Sequence, residues 1–194
     1  MILSVTGGFG CGKSTVVKLL AKYGWRHIDS DALVRDDVLI RADVVAMLRA
    51  HFGNGIIGAD GLVDRSRLGS IVFSDDGERH WLEQLVHPLV FERWRLLLGS
   101  DPFARWVVEV PLLFEKQLEN WFDFIVCVTC APAQQLTRLE QRGLTRAHAA
   151  QRISKQLPLA RKIVLSDFVL LNDGSPEFLQ KQIDLLVDTL SVVS

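Results

Sequence analysis

The chain has little cysteine, little proline and no excess of charge of either sign, and each shortage narrows what it can be. Three cysteines in 194 residues, Cys11, Cys127 and Cys130, form an odd count that gives no hint of a disulfide framework. Cys127 and Cys130 have CxxC spacing, but no second pair follows, and VCVTC is an apolar strand whose alternation sends the two thiols to opposite faces. They read as buried structural residues. A formal net charge of -1 excludes the global basic balance that draws proteins to nucleic acid or anionic membrane, so anion binding must come from a local cluster. No apolar run approaches a membrane span, and MILSVTGG lacks the basic region and the length of a signal peptide. A cytoplasmic protein with no nucleic-acid or membrane partner is expected; oligomeric state is left open.

What is present is an ordinary globular composition. With 48% hydrophobic and 23% charged residues, the chain has material for one sizeable core and room for a small inserted subdomain. A strand is expected over 2–5 and a helix over 14–23, where Val16, Val17, Leu19, Leu20 and Tyr23 have helical spacing and Gly24 supplies the stop. A second strand near 25–28 completes the βαβ order of a parallel sheet. Residues 41–98 read as largely helical, with one apolar pattern from Val44 to Phe52 and another from Trp81 to Trp94. Strands are expected again over 106–110, 124–129 and 168–172, and a closing helix over 176–190.

Residues 6–15 read TGGFGCGKST. Gly7, Gly12, Lys13 and Ser14 satisfy G-x-x-x-x-G-K-[ST], with the strand before and the helix after that the motif requires. The chemistry follows from geometry. Glycines let backbone N–H groups turn inward around a phosphate, the helix N-terminus adds positive potential, Lys13 reaches the outer phosphates and the Ser14 hydroxyl can ligate Mg²⁺. Gly8, Gly10, Cys11, Gly12, Lys13, Ser14 and Thr15 are therefore the expected nucleotide-binding set, with ATP the expected nucleotide. A dinucleotide fingerprint read from Gly8 fails, because Lys13 stands where its third glycine belongs. Neither the NKxD string of a GTPase switch nor the LSGGQ string of an ABC ATPase occurs. A small phosphoryl transferase is the leading class.

Phosphoryl transfer asks for positioned charge on the phosphates and a carboxylate for the acceptor's proton. HIDSD (27–31) offers Asp29 and Asp31 after the second strand, where either can serve the reaction or cap the following helix. Glu109, near the end of WVVEV, is a partner for Mg²⁺ or a strand-end carboxylate in solvent. Residues 138–162 hold seven basic side chains, Arg138, Arg142, Arg146, Arg152, Lys155, Arg161 and Lys162, against the single acid Glu140. Such a segment is a solvated helix face or, preferred here, a lid over the triphosphate. His87 before Pro88 reads as structural, at a helix kink.

Together these residues resemble the dephospho-CoA kinase family over nearly the whole chain. The resemblance rests on TGGFGCGKST, IDSDALVR (28–35), DGLVDRSRLGSIVFSD (60–75), LVHPLV (85–90), VEVPLLFE (108–115), QLTRLEQRG (135–143), RISKQ (152–156) and LNDG (171–174). It implies an α/β, P-loop kinase-like three-layer fold with a five-stranded parallel sheet. The nucleotide-binding core would occupy 1–40 and 100–194, a helical coenzyme-binding insertion 41–99 and a mobile lid 138–162. It further implies transfer of the γ-phosphoryl group of ATP to the ribose 3'-hydroxyl of 3'-dephospho-CoA, with Mg²⁺. Residue by residue, Asp31 becomes the base, with Lys13 and Arg138 as its catalytic companions. Arg35 and His87 fall on the acceptor side, Arg138 and Arg142 in the lid, Asn172 and Gly174 in a loop near adenine, and Ser14 and Glu109 at the metal.

The sequence departs from the family pattern in places. Where the family often has a Pro-Gly turn after its D-x-D helix, residues 35–42 read RDDVLIRA, about one residue shorter. Cys11 takes a loop position that is often a small residue, and Glu109 stands where aspartate is common. The rival readings are another small-molecule kinase, such as a nucleoside monophosphate kinase, and a protein that binds ATP without phosphorylating a metabolite.

Overall fold

The computed structural model describes residues 1–192. The chain divides into two compact units, one formed by Met1–Ile28 with Pro102–Ser194 and the other by Asp29–Asp101.

The first unit is built on a five-stranded parallel sheet of order β2-β3-β1-β4-β5, with β1 at Ile2–Gly7, β2 at Arg26–Asp29, β3 at Trp106–Glu109, β4 at Phe124–Thr129 and β5 at Phe168–Leu171. Central β1 pairs in parallel with β3 (Val5 opposite Glu109) and with β4 (Thr6 opposite Cys127), while β4 carries β5. A strand flanked on both sides and covered on both faces is buried along its length, and β1 is buried from Leu3 to Gly7, the small polar Ser4 and Thr6 included. Leu3 and Val5 join Val107, Val126 and Val128 in one core with helix α1 (Lys13–Ala21) and the last helix, Pro176–Val192. That last helix offers Leu179, Ile183, Leu186, Val187 and Leu190, a stripe at helical spacing, each side chain contributing roughly 1.5–3 kcal/mol when buried. Cys11 and Cys130 belong to this core and Cys127 does not, as the strand alternation requires.

The second unit is helical. Helix α2 (Ser30–Leu33) runs into a π-helical turn over Val34–Val38, closed by Leu39 N–H donating to the Val34 carbonyl at 2.9 Å. This turn occupies the stretch where the sequence departs from the family's Pro-Gly pattern. Helices α3 (Ala42–Phe52), α4 (Arg65–Ser74) and α5 (Asp76–Ser100) follow. The stretch DGLVDR is structural: Asp60 accepts from Leu62 N–H, Gly61 turns the chain at φ 78°, and Asp64 caps α4 through Ser66 and Arg67 N–H. Asp75 caps α5 in the same way through Gly77 and Glu78. Helix α5 continues through Pro88 to Ser100. The His51 ring stacks on Trp81 at 3.8 Å and meets Glu78 Oε2 at 2.6 Å, tying α3 to α5, while Trp94 is buried. An Arg93–Asp37 ion pair fastens α5 to the π-helical turn, so residues 29–40 pack with the helical unit.

Candidate active site

In the sheet unit, strand β1 ends at Gly7 and α1 begins at Lys13, so the whole turn is made by the glycine-rich loop. Gly12 adopts φ 95°, and a Cβ there would lie 2.2 Å from Asn172 Nδ2, so only glycine fits. No side chain caps α1, which leaves its first N–H groups to an anion. The loop is braced from outside. Asn172 Nδ2 donates to the Cys11 carbonyl at 2.8 Å, Gln135 Nε2 donates to the Phe9 carbonyl at 2.6 Å, and Phe9 N–H donates to Gln156 Oε1 at 3.2 Å. The Arg152 guanidinium lies 5.6 Å over the Phe9 ring.

Lys13 Nζ folds onto the loop, donating to the Gly8 and Gly7 carbonyls at 3.0 and 3.3 Å. Burial of this ammonium, only 6% exposed, pulls its pKa below the ordinary lysine value, against the opposing pull of Glu109 and Cys11. Ser14 Oγ donates to Glu109 Oε1 at 3.1 Å, bringing together the two groups expected at the metal. No cluster of three or more His, Cys, Asp or Glu side chains suited to a metal exists among the described residues. One carboxylate and one hydroxyl beside a phosphate loop fit Mg²⁺, which takes few protein ligands and completes its shell with phosphate oxygens and water.

Arg138, on helix α6 (Pro132–Gln141), donates through Nη2 to the Asn172 carbonyl at 2.9 Å, and its buried Nη1 has no hydrogen-bond partner among the described residues. A buried guanidinium nitrogen beside the loop's brace suits an anionic oxygen. Arg142 instead sits exposed at the end of α6, and Gly174 packs at the start of the last helix, where a Cβ would meet Phe178 at 2.9 Å. Helices α7 (Arg146–Ser154) and α8 (Leu159–Val164) complete the basic segment. Lys162 does not belong to a lid surface: it is 1% exposed, donates to the Pro111 carbonyl at 2.8 Å and pairs with Glu115 Oε1 at 2.8 Å. Glu115 Oε1 also accepts Leu157 N–H at 2.7 Å, pinning the chain between α7 and α8. Gln135, Gln156 and Glu115 carry no individual signal in the sequence beyond membership of the QLTRLEQRG, RISKQ and PLLFE stretches.

In the helical unit, Asp29 is the N-cap of α2, accepting Ala32 N–H at 2.9 Å. Asp31 lies in the first turn of that helix and is exposed. Arg35 is held by Asp36 through paired bonds of 2.6 Å, which favour its charged form, with Asp29 and Asp31 adding to the effect. His87 is half-buried on α5 with its ring 5.8 Å from that of Phe91.

A parallel sheet whose central strand feeds a GxxxxGKS loop, with serine and a carboxylate paired beside it, defines a P-loop phosphotransferase. A family model described as dephospho-CoA kinase matches residues 1–177. A curated dephospho-CoA kinase of Thermosynechococcus vestitus is 43% identical over 184 residues, covering 94% of this chain and 91% of the relative. A solved structure from Thermus thermophilus superposes with a TM-score of 0.86 at 32% identity, covering 98% and 97% of the two chains. The dephospho-CoA kinase of Campylobacter jejuni shares the fold, with a TM-score of 0.73 at 23% identity over 98% and 96%. The chain belongs to the dephospho-CoA kinase family, ATP-dependent kinases of the final step of coenzyme A biosynthesis.

Proposed function

We propose how the residues of this chain divide the labour of phosphorylating the ribose 3'-hydroxyl of 3'-dephospho-CoA. The observation that carries the reading is the cap: Asp29 spends its carboxylate on Ala32 N–H, so of the two aspartates Asp31 is the general base for the acceptor hydroxyl. Arg35 and His87 bind the acceptor, in the helical unit that holds Asp31. On the donor side, backbone N–H groups from Gly8 to Thr15 hold the ATP phosphates, with Asn172 bracing the loop.

Lys13 exchanges its contacts with the Gly7 and Gly8 carbonyls for phosphate oxygens, and Arg138 offers its unpaired Nη1 to the charge that builds on the transferred group. Ser14 and Glu109 are the residues that would hold Mg²⁺, which would supply positive charge to the phosphates. Apart from the buried Lys162, residues 138–162 act as a lid, with Arg142 meeting the nucleotide on closure and the loop at Asn172 and Gly174 next to adenine. Among the described residues no helix is long and apolar enough to cross a membrane.

Incubation of the pure protein with ATP, Mg²⁺ and a panel of acceptors tests the reading. Phosphate should appear on dephospho-CoA and not on AMP. Transfer to AMP alone, or tight ATP binding with no product from any acceptor, would overturn it.

A further inference from the structure

The phosphate loop carries a thiol that the transfer reaction does not need. Cys11 lies between Gly10 and Lys13 with its side chain fully buried, and its Sγ sits 3.2 Å from the Sγ of Cys130, a residue 119 positions away at the end of β4. The two thiols share the same apolar core, and the third cysteine, Cys127, lies outside it. We propose that Cys11 and Cys130 form a reversible disulfide under hydroperoxide oxidation, and that this bond switches off the phosphate loop.

The microenvironment supports the chemistry. The Cys130 thiol donates to Cys11 and the Lys13 ammonium lies nearby, which together lower the Cys11 pKa to about 7, while the same hydrogen bond pushes Cys130 up. Cys11, two residues from the Lys13 ammonium, is the attacking sulfur and Cys130 the resolving thiol. In the first step Cys11 Sγ attacks one peroxide oxygen, the O–O bond breaks and hydroxide leaves, giving a sulfenic acid at Cys11. In the second, Cys130 Sγ attacks Cys11 Sγ, the S–S bond forms and the S–O bond breaks. Hydroxide leaves and takes the Cys130 proton. The first hydroxide takes up the proton that Cys11 gave up on ionising, so the sulfurs lose two electrons, hydrogen peroxide gains them, and two waters remain.

The effect on the loop follows from distance. A disulfide holds its sulfurs about 2.05 Å apart, so more than 1 Å must close. Cys130 follows a sheet strand, whereas Cys11 is flanked by Gly10 and Gly12 at φ 85° and 95°, so the loop is the side that moves. That motion pulls on the Asn172 bond to the Cys11 carbonyl and displaces the N–H groups that hold phosphate. A shift of about 1 Å in such positioning costs roughly a hundredfold in rate.

The consequence for ATP rests on the phosphate-loop reading; the bond itself does not, and two assays separate them. The full-length protein is treated with hydrogen peroxide, quenched, digested without reductant and analysed by mass spectrometry, with kinase rate measured in parallel. Wild type and Cys127→Ser should yield a peptide pair joined through Cys11 and Cys130, two hydrogens lighter than its parts. Their rate should fall about a hundredfold and return with dithiothreitol. Cys130→Ser should give no joined pair and should lose far less rate than wild type, because no bond draws the loop. Inactivated wild type without the joined pair, or a loss of rate in Cys130→Ser equal to that of wild type, overturns the proposal, as does the joined pair at full activity. The wild-type mass measurement decides the bond even where the buried substitution impairs folding.

Discussion

Substituting the two aspartates of HIDSD separately distinguishes a capping carboxylate from a chemical one. Asparagine caps a helix as well as aspartate does, so Asp29→Asn keeps the bond to Ala32 N–H and should alter stability and turnover by no more than about twofold in either equilibrium or rate. Asp29→Ala removes that bond and should cost about 1 kcal/mol, which for a chain of this size is a drop of roughly 2–4 °C in Tm. Asp31→Asn leaves the Asp29 cap in place, but the amide cannot accept the acceptor's proton. Turnover should fall by about 10²–10⁴, or roughly 3–5 kcal/mol in the barrier, with ATP affinity nearly unchanged. The assays are thermal unfolding, ATP binding by calorimetry and steady-state rates with dephospho-CoA. If Asp31→Asn turns over normally while Asp29→Asn collapses, the roles are reversed and the cap argument fails.

Three further outcomes are expected. Lys162→Met leaves the Glu115 carboxylate buried without its cation and should cost about 3–5 kcal/mol in thermal or denaturant unfolding; Lys162→Met with Glu115→Gln should recover part of it, and no recovery would deny the pair its role. Ser14→Ala and Glu109→Gln should each raise the Mg²⁺ concentration needed for half-maximal rate, and an unchanged Mg²⁺ titration in both would remove them from the metal site. Lys13 has a pKa below its ordinary 10.5 because it is desolvated, and a bound triphosphate raises it again. Between the free and bound values ATP binding must therefore take up a proton, and ATP affinity must fall as pH rises through the free-protein value. Calorimetry in buffers of different ionisation heat measures this, and proton release, or uptake that survives Lys13→Met, would contradict it.

What could be read without coordinates was what is local in sequence. The phosphate loop is contiguous, and its glycines, lysine and serine declare their geometry within ten residues. Strands β3 and β4 announced themselves because strands covered on both faces of a parallel sheet are near-continuous apolar runs. On local pattern alone Asp29 and Asp31 were equivalent; the family resemblance favoured Asp31 as base, and the backbone angles then placed Asp29 at the N-cap of α2. Lys162 looked like one more charge in a basic segment because its partners, Pro111 and Glu115, come from the far side of β4. Gln135 and Gln156 are unremarkable letters whose role depends on meeting Phe9, which lies 126 and 147 positions away. The Cys11–Cys130 approach was hidden for the same reason, since the CxxC spacing drew attention to the wrong pair.

The order of the strands also bears on how the protein is made. Strand β1 ends at Gly7, yet neither of its sheet neighbours exists until β3 begins at Trp106 and β4 at Phe124. At ribosomal speeds of about 5–20 residues per second, an apolar strand with its phosphate loop waits roughly 5–20 s for its first partner. Meanwhile the whole stretch 29–101 is synthesised with its own caps and helix contacts. The helical unit is thus complete before the sheet can begin, and β1 is a nascent segment in need of shielding throughout that interval.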